Sequence, residues 1–229
     1  MTDNPLDFDR AYRQEDGFDG PPPWNIGEPQ PELAGLIAAG KVRSKVLDAG
    51  CGYAELALSL AADGYDVVGI DMSPTAIAAA KAAAAERKLP NATFVEGDIS
   101  SFGGFDGQFN TIMDSTLFHS IPVSARDGYQ QSVYRAAAPG AAYYILVFAK
   151  GAFPAEATQK PNEVTEAELR AEVGKYWAID EIRPALIHAN IQDTPPGAPP
   201  GEPFKMPPHP RDGQGRMMLP AYLVTAHKA

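Results

Sequence analysis

The sequence predicts an α/β fold: a doubly wound, mostly parallel seven-stranded sheet with helices on both faces and an antiparallel hairpin at one edge. Three observations predict it. From Lys45 to Ala149, short apolar runs alternate with helical stretches, the pattern of successive strand–helix–strand units with right-handed crossovers. The run Ala142–Ala149 is continuously apolar, as expected of a strand covered on both faces. Two late strand-like segments, 177–188 and 217–227, flank a stretch with eight prolines from Pro195 to Pro210 (a ninth, Pro220, lies in the second segment), which is not regular structure and leaves the pair as an edge hairpin.

Each element has a local reason. The first 31 residues carry Asp, Gly, Pro and isolated aromatics without periodicity, and a helix is expected only over Glu32–Ala39, with Pro31 in its first turn. Lys45–Asp48 reads as a buried strand and Glu55–Ala62 as an apolar helix stopped at Asp63-Gly64. Asp66–Asp71 is the next strand. Ser73-Pro74 is a strong helix start, and the Ala-rich helix ends near Lys88, before Pro90. Strands follow at Thr93–Glu96 and Phe109–Asp114, then a helix over Ala125–Ala138 ended by Pro139-Gly140. Thr165 to Lys175 opens with the capping-box pattern Thr165-Glu-Ala-Glu168. With 229 residues, no internal repeat and no composition break, the chain is expected to form one domain over 1–229, with a core at 45–149. Residues 1–31 are expected to form a lid and 190–216 a proline-rich loop on the substrate side.

Composition narrows the function. The chain has 19 Lys+Arg against 29 Asp+Glu, a net charge of −10, which disfavours nucleic-acid and anionic-membrane partners. One cysteine excludes an intramolecular disulfide, and four scattered histidines make a metal cage unexpected. The polar, acidic start has no signal-peptide pattern, and the longest apolar run is far short of the ~20 residues that span a bilayer. A cytoplasmic protein is expected, as a monomer or weak homodimer.

The chemistry lies in Val46–Leu56, VLDAGCGYAEL: a strand, Asp48, a tight turn through Gly50, Cys51 and Gly52, then a helix. Glycine permits positive φ and close approach of a ligand to the backbone, and in such sheets ligands bind beyond the carboxyl ends of the strands. Asp71 ends the next strand, 19 residues after Gly52, where a carboxylate can accept from both hydroxyls of a ribose. A dinucleotide site would need a third glycine at Glu55, and a carboxylate there would repel a pyrophosphate. S-adenosylmethionine (SAM) has a ribose and a cationic sulfonium but no phosphate, so Asp48, Glu55 and Asp71 favour it over NAD. Asp98 in FVEGDIS can accept from the adenine amino group, Ile99 can cover the ring, and Met72 follows the ribose carboxylate. Asp114 and Ser115, ending the fourth strand, are expected beside the donor.

The order VLDAGCG, GIDMS, EGDIS, DSTLFH and APGAAYYILVF resembles the class I SAM-dependent methyltransferases over residues 45–149, with Ala54 where many members have glycine. PPPWNIGEPQPELAGLI, DSTLFHSIP and KYWAIDEIRPA extend the resemblance to the mycobacterial heterocyclic toxin methyltransferases. It does not extend to 195–216. The resemblance implies a Rossmann-like fold, SAM as methyl donor with S-adenosylhomocysteine as product, and methylation at O or N of a small aromatic heterocycle such as an alkyl-hydroxyquinolone. His119 is the candidate base or acceptor-orienting group, and Phe118 beside it is expected to contact the substrate as well. Trp24 is placed beside the donor or acceptor, and Phe8 or Tyr12 against a flat acceptor. No metal is expected. Other acceptors (a thiol, thiopurine, phenol or metalloid oxyanion), a non-catalytic SAM-binding module and an NAD-linked oxidoreductase are the competing readings.

Overall fold

A computed structural model describes residues 8–15, 20–155, 160–191 and 208–229. Among these, seven strands form one sheet: β1 (Val46–Ala49), β2 (Val67–Asp71), β3 (Ala92–Glu96), β4 (Phe109–Ser115), β5 (Ala137–Phe148), β6 (Ala178–Ala189) and β7 (Met217–His227). Their order is β3-β2-β1-β4-β5-β7-β6. The first five strands run parallel; β7 is antiparallel to β5 and to β6, which makes the expected edge hairpin. The proposed loop 190–216 falls largely on residues 192–207, outside the described residues.

Helices α1 (Phe8–Tyr12), α2 (Pro31–Ala38), α3 (Glu55–Ala62), α4 (Pro74–Glu86), α5 (Arg126–Ala136) and α6 (Glu166–Val173) connect and flank the strands. Strands β1, β2, β4 and β5 are buried on both sides, and β5 shows how. Tyr144, Leu146 and Phe148 join the core beneath α2, α3 and α4, whereas Tyr143, Ile145 and Val147 join the one beneath α5 and α6. The caps follow from sequence. The Ser73 hydroxyl accepts from the Ala76 N–H at 3.0 Å to start α4, and Thr165 and Glu168 close a capping box on α6.

Two boundaries depart from expectation. Residues 8–12 are helical, because Asp9 and Tyr12 tie this short segment to the body, a tertiary effect that periodicity does not show. Helix α5 ends at Ala136 rather than Ala138. Ala137 turns extended (φ −71, ψ 135) and pairs with Phe109, since Pro139 disfavours helix at the residue before it.

The direction of strand order reverses between β1 and β4. The loops leaving the carboxyl ends of β1, β2, β4 and β5 therefore diverge there and leave a crevice between them.

Candidate functional site

The crevice is a cavity of about 850 Å³, at the upper end of the roughly 300–1,000 Å³ usual for small-molecule sites. Its floor begins where β1 stops. Gly50 (φ +67), Gly52 (φ +53) and Ala54 (φ +65) all take left-handed backbone, which turns the chain from β1 into α3. Ala54 thus adopts the glycine-like conformation, at a cost of roughly 1–2 kcal/mol for a residue with a Cβ. A Cβ on Gly50 would overlap Leu117, and one on Gly52 would overlap the Tyr12 hydroxyl, so the turn is closely covered from both sides.

Asp71 secures this turn from the end of β2. One carboxylate oxygen accepts from the Gly52 N–H and the other from the Ser73 N–H, both at 2.9 Å. Each oxygen keeps a lone pair for a ligand hydroxyl. Asp48 is buried under the same turn, where one oxygen accepts from the Ala57 N–H at 3.2 Å. Burial, with the charges of Asp71 and Asp114 nearby, pushes the Asp48 carboxyl up to about 7. Asp98 accepts from the backbone and hydroxyl of Ser100, and Ile99 and the exposed Met72 line the cavity on either side of this edge. Cys51 lines it too, with burial holding its thiol well above the usual range.

The mouth is lined by Phe8, Asp9 and Tyr12 of α1 and by Pro23 and Trp24. Asp9 accepts from the Ser73 hydroxyl at 2.5 Å and the Thr75 N–H at 3.2 Å, docking α1 on the N-terminus of α4. Trp24 donates to the Tyr12 hydroxyl at 3.4 Å, Tyr12 packs edge-on to Tyr53 at 4.9 Å, and Phe8 packs edge-on to Trp24 at 6.1 Å. All four rings line the cavity. Tyr12 covers the glycine turn, on the β1–β2 side of the cavity.

The far wall comes from the loops after β4 and β5. Phe148, Phe153, Ile121, Pro122 and Pro161 make it apolar, with His119, Ser115 and Asn162 as polar points. The His119 ring lies 4.4 Å from Phe148, and its Nδ1 accepts from the Phe148 N–H at 3.2 Å. That bond places the ring hydrogen on Nε2. Burial and the Arg126 charge push the imidazole down to about 3. His119 is therefore a neutral hydrogen-bond donor, and of its two expected roles the geometry favours orienting over acting as base.

Three other expectations are corrected. Phe118 is fully buried and does not line the cavity; its ring sits against Tyr129 and beneath the Arg126 guanidinium, at 4.7 Å. Asp114 is also fully buried and outside the lining, because its oxygens are turned to the Leu117 and Phe118 N–H groups and the Tyr129 hydroxyl. Glu55 lines the cavity, but Arg87 grips both its oxygens at 3.0 and 3.1 Å and neutralises it. Conversely, Tyr53, Leu117, Phe148, Phe153 and Asn162 line the cavity without having been expected. The switch-point rule applied to the ends of β4 and β5 would have found the last four.

The donor set suits a cationic ligand with a ribose. Among the described lining residues the cationic side chains reduce to Lys160, which is paired with Glu163 at 3.0 Å, whereas Asp48, Asp71 and Asp98 have no described cation against them. Nothing in this set would neutralise a pyrophosphate. The described residues hold no group of three or more His, Cys, Asp or Glu arranged for a metal ion, and none of their helices is long and apolar enough to cross a membrane.

Comparison with known proteins agrees with this geometry. A family model described as a methyltransferase domain matches residues 46–140. The 2-heptyl-1-hydroxyquinolin-4(1H)-one methyltransferase of Mycobacteroides abscessus is 56% identical over 193 residues, 83% of this chain and 85% of that protein. A probable thiol methyltransferase of Arabidopsis thaliana is 29% identical over 133 residues, 56% of this chain and 58% of that protein. A solved structure concerned with conversion of a disulfide bond into a thioacetal group during echinomycin biosynthesis superposes with a TM-score of 0.80, at 30% identity, covering 96% of this chain and 91% of that one.

Proposed function

Since the chain belongs to the class I SAM-dependent methyltransferases, we propose that it methylates an oxygen or nitrogen of a small aromatic heterocycle of the alkyl-hydroxyquinolone type, as a detoxifying step. The observation that carries the acceptor class is the 56% identity, over most of both chains, to the Mycobacteroides abscessus hydroxyquinolone enzyme. The apolar far wall with few polar points supports it, since a flat ring with an alkyl chain needs such a surface.

The residues fit SAM. When bound, SAM supplies an electrophilic methyl group on a sulfonium. Asp71 would accept from the ribose hydroxyls, Asp98 from the adenine amino group with Ile99 and Met72 along the ring, and the Gly50–Gly52 backbone would border the amino-acid end. Asp48, which lacks a described cationic partner, would balance the positive charge. Trp24, Tyr12 and Phe8 would close over the pair and exclude water. His119 would donate from Nε2 to the acceptor and fix its angle. An N-hydroxyl conjugated with a ring carbonyl ionises readily, so orientation rather than a strong base is what the protein must supply. Orientation alone is worth up to roughly 7–11 kcal/mol.

The proposal places this chemistry in the cytoplasm on a small molecule, with no role for nucleic acid given the net charge of −10. A sulfur acceptor is the second reading, favoured by the likeness to the echinomycin structure and to the Arabidopsis thaliana protein. Competition among hydroxyquinolones, phenols and thiols for limiting SAM, with products identified by mass spectrometry, tests both. Preferential methylation of the hydroxyquinolone supports the proposal, and preferential methylation of thiols replaces it with the second reading.

A further inference from the structure

The turn that follows β4, residues 115–120, reaches both halves of the cavity. Leu117 packs on Gly50, in the turn that would border the donor. Two residues later, His119 stands on Phe148 in the far wall. The separation between donor and acceptor is therefore set partly by the shape of this turn. Its backbone is not a relaxed one: Thr116, a β-branched residue, has φ +71. The Thr116 N–H bonds to the Leu146 carbonyl of β5 and the Thr116 carbonyl accepts from the Ser120 hydroxyl, but the next two N–H groups depend on a side chain.

That side chain is Asp114. One oxygen accepts from Leu117 N–H at 2.8 Å and Phe118 N–H at 3.3 Å. The other accepts from the Tyr129 hydroxyl of α5 at 2.8 Å. The Tyr129 oxygen in turn accepts from the Tyr143 hydroxyl at 3.0 Å, and the Tyr143 oxygen accepts from the Gln130 amide at 3.0 Å. Asp114, Tyr129, Tyr143 and Gln130 are all fully buried, and none lines the cavity. A buried carboxylate held this way is a poor device for stability alone, because an apolar pair of similar volume would often serve as well or better. It is a good device for holding one backbone geometry.

We propose that Asp114 and Tyr129 form a positioning pair for methyl transfer: they clamp the 115–120 turn so that Leu117 and His119 hold donor and acceptor at the reacting distance. The inference rests on the methyltransferase reading above. It predicts a loss of rate without a loss of binding.

The test uses Tyr129→Phe, which keeps the ring and removes the hydroxyl, together with Asp114→Asn and the double variant, in the full-length protein. With a hydroxyquinolone as acceptor, Tyr129→Phe is expected to lower kcat about tenfold or more. KM for the acceptor and Kd for S-adenosylhomocysteine are expected to stay within about twofold of the parent. Amide hydrogen exchange is expected to accelerate at Leu117 and Phe118 and to stay unchanged in β1 and α3. The double variant is expected to be no slower than the slower single variant, as for two members of one unit. Unchanged kcat in Tyr129→Phe overturns the proposal, as does a parallel loss of kcat and S-adenosylhomocysteine affinity, which marks a general structural role. If the parent itself turns over no hydroxyquinolone, the acceptor assignment fails instead, and the exchange measurement still decides whether the clamp exists.

Discussion

Asp71 carries the largest single expectation at the residue scale. Its oxygens hold the Gly52 and Ser73 N–H groups and keep lone pairs for a ribose. Asp71→Ala is expected to weaken S-adenosylhomocysteine binding by about 1.5–3 kcal/mol, the range for hydrogen bonds to a charged group, read by titration calorimetry. Unchanged affinity would mean the ribose binds elsewhere. His119 makes a different kind of prediction. With its imidazole pushed down to about 3, it does not change charge between pH 5 and pH 9. His119→Ala is therefore expected to lower kcat by about ten- to a hundredfold, with the shape of the pH–rate profile retained. Loss of an acidic limb near the ordinary histidine value would restore His119 as the base.

At the scale of elements, the glycine turn and α1 work as one unit. Gly52 has φ +53, and a Cβ there would drive into the Tyr12 hydroxyl. Gly52→Ala is expected to cost about 1–2 kcal/mol of stability from backbone strain. It should also displace α1, seen as faster proteolysis near residues 8–15 and a weaker S-adenosylhomocysteine complex; full affinity with α1 still protected would refute the coupling. The strands and helices from β1 to α4 were legible in the sequence, because caps, punctuating prolines and a doubly buried sheet leave local signatures. Helix α1 was not, since five residues of helix are held by Asp9 on Ser73 and Thr75, more than sixty positions away. The site was legible to the same extent. Gly50, Gly52, Asp71, Asp98 and Ile99 follow from strand ends and spacing. Asp114 and Phe118 looked equally well placed, but which way a side chain turns at the end of β4 depends on Tyr129 and Arg126, contributed by α5.

For the whole molecule, the acidity expected to repel phosphates becomes a pH dependence. Burial raises both Asp48 and Asp114 from the ordinary 3.8 to about 7. The folded protein then keeps protons that the unfolded chain has already released, so these two groups lower the stability of the ligand-free protein as pH rises from about 4 to 7. A bound cation reverses the preference at Asp48, the one of the two that lines the cavity. SAM affinity is therefore expected to increase with pH through about 6 to 7, with proton release on binding. Thermal unfolding midpoints with and without SAM at several pH values read both trends; equal stabilisation by SAM at every pH would show that Asp48 does not sense the ligand's charge.

The reaction itself is tested most directly by single turnover with SAM carrying an isotopically labelled methyl group and 2-heptyl-1-hydroxyquinolin-4-one as acceptor. The prediction is that the label appears on an oxygen of the quinolone, in step with formation of S-adenosylhomocysteine. SAM that binds but stays intact beside the quinolone, or label that passes only to a thiol, would contradict it.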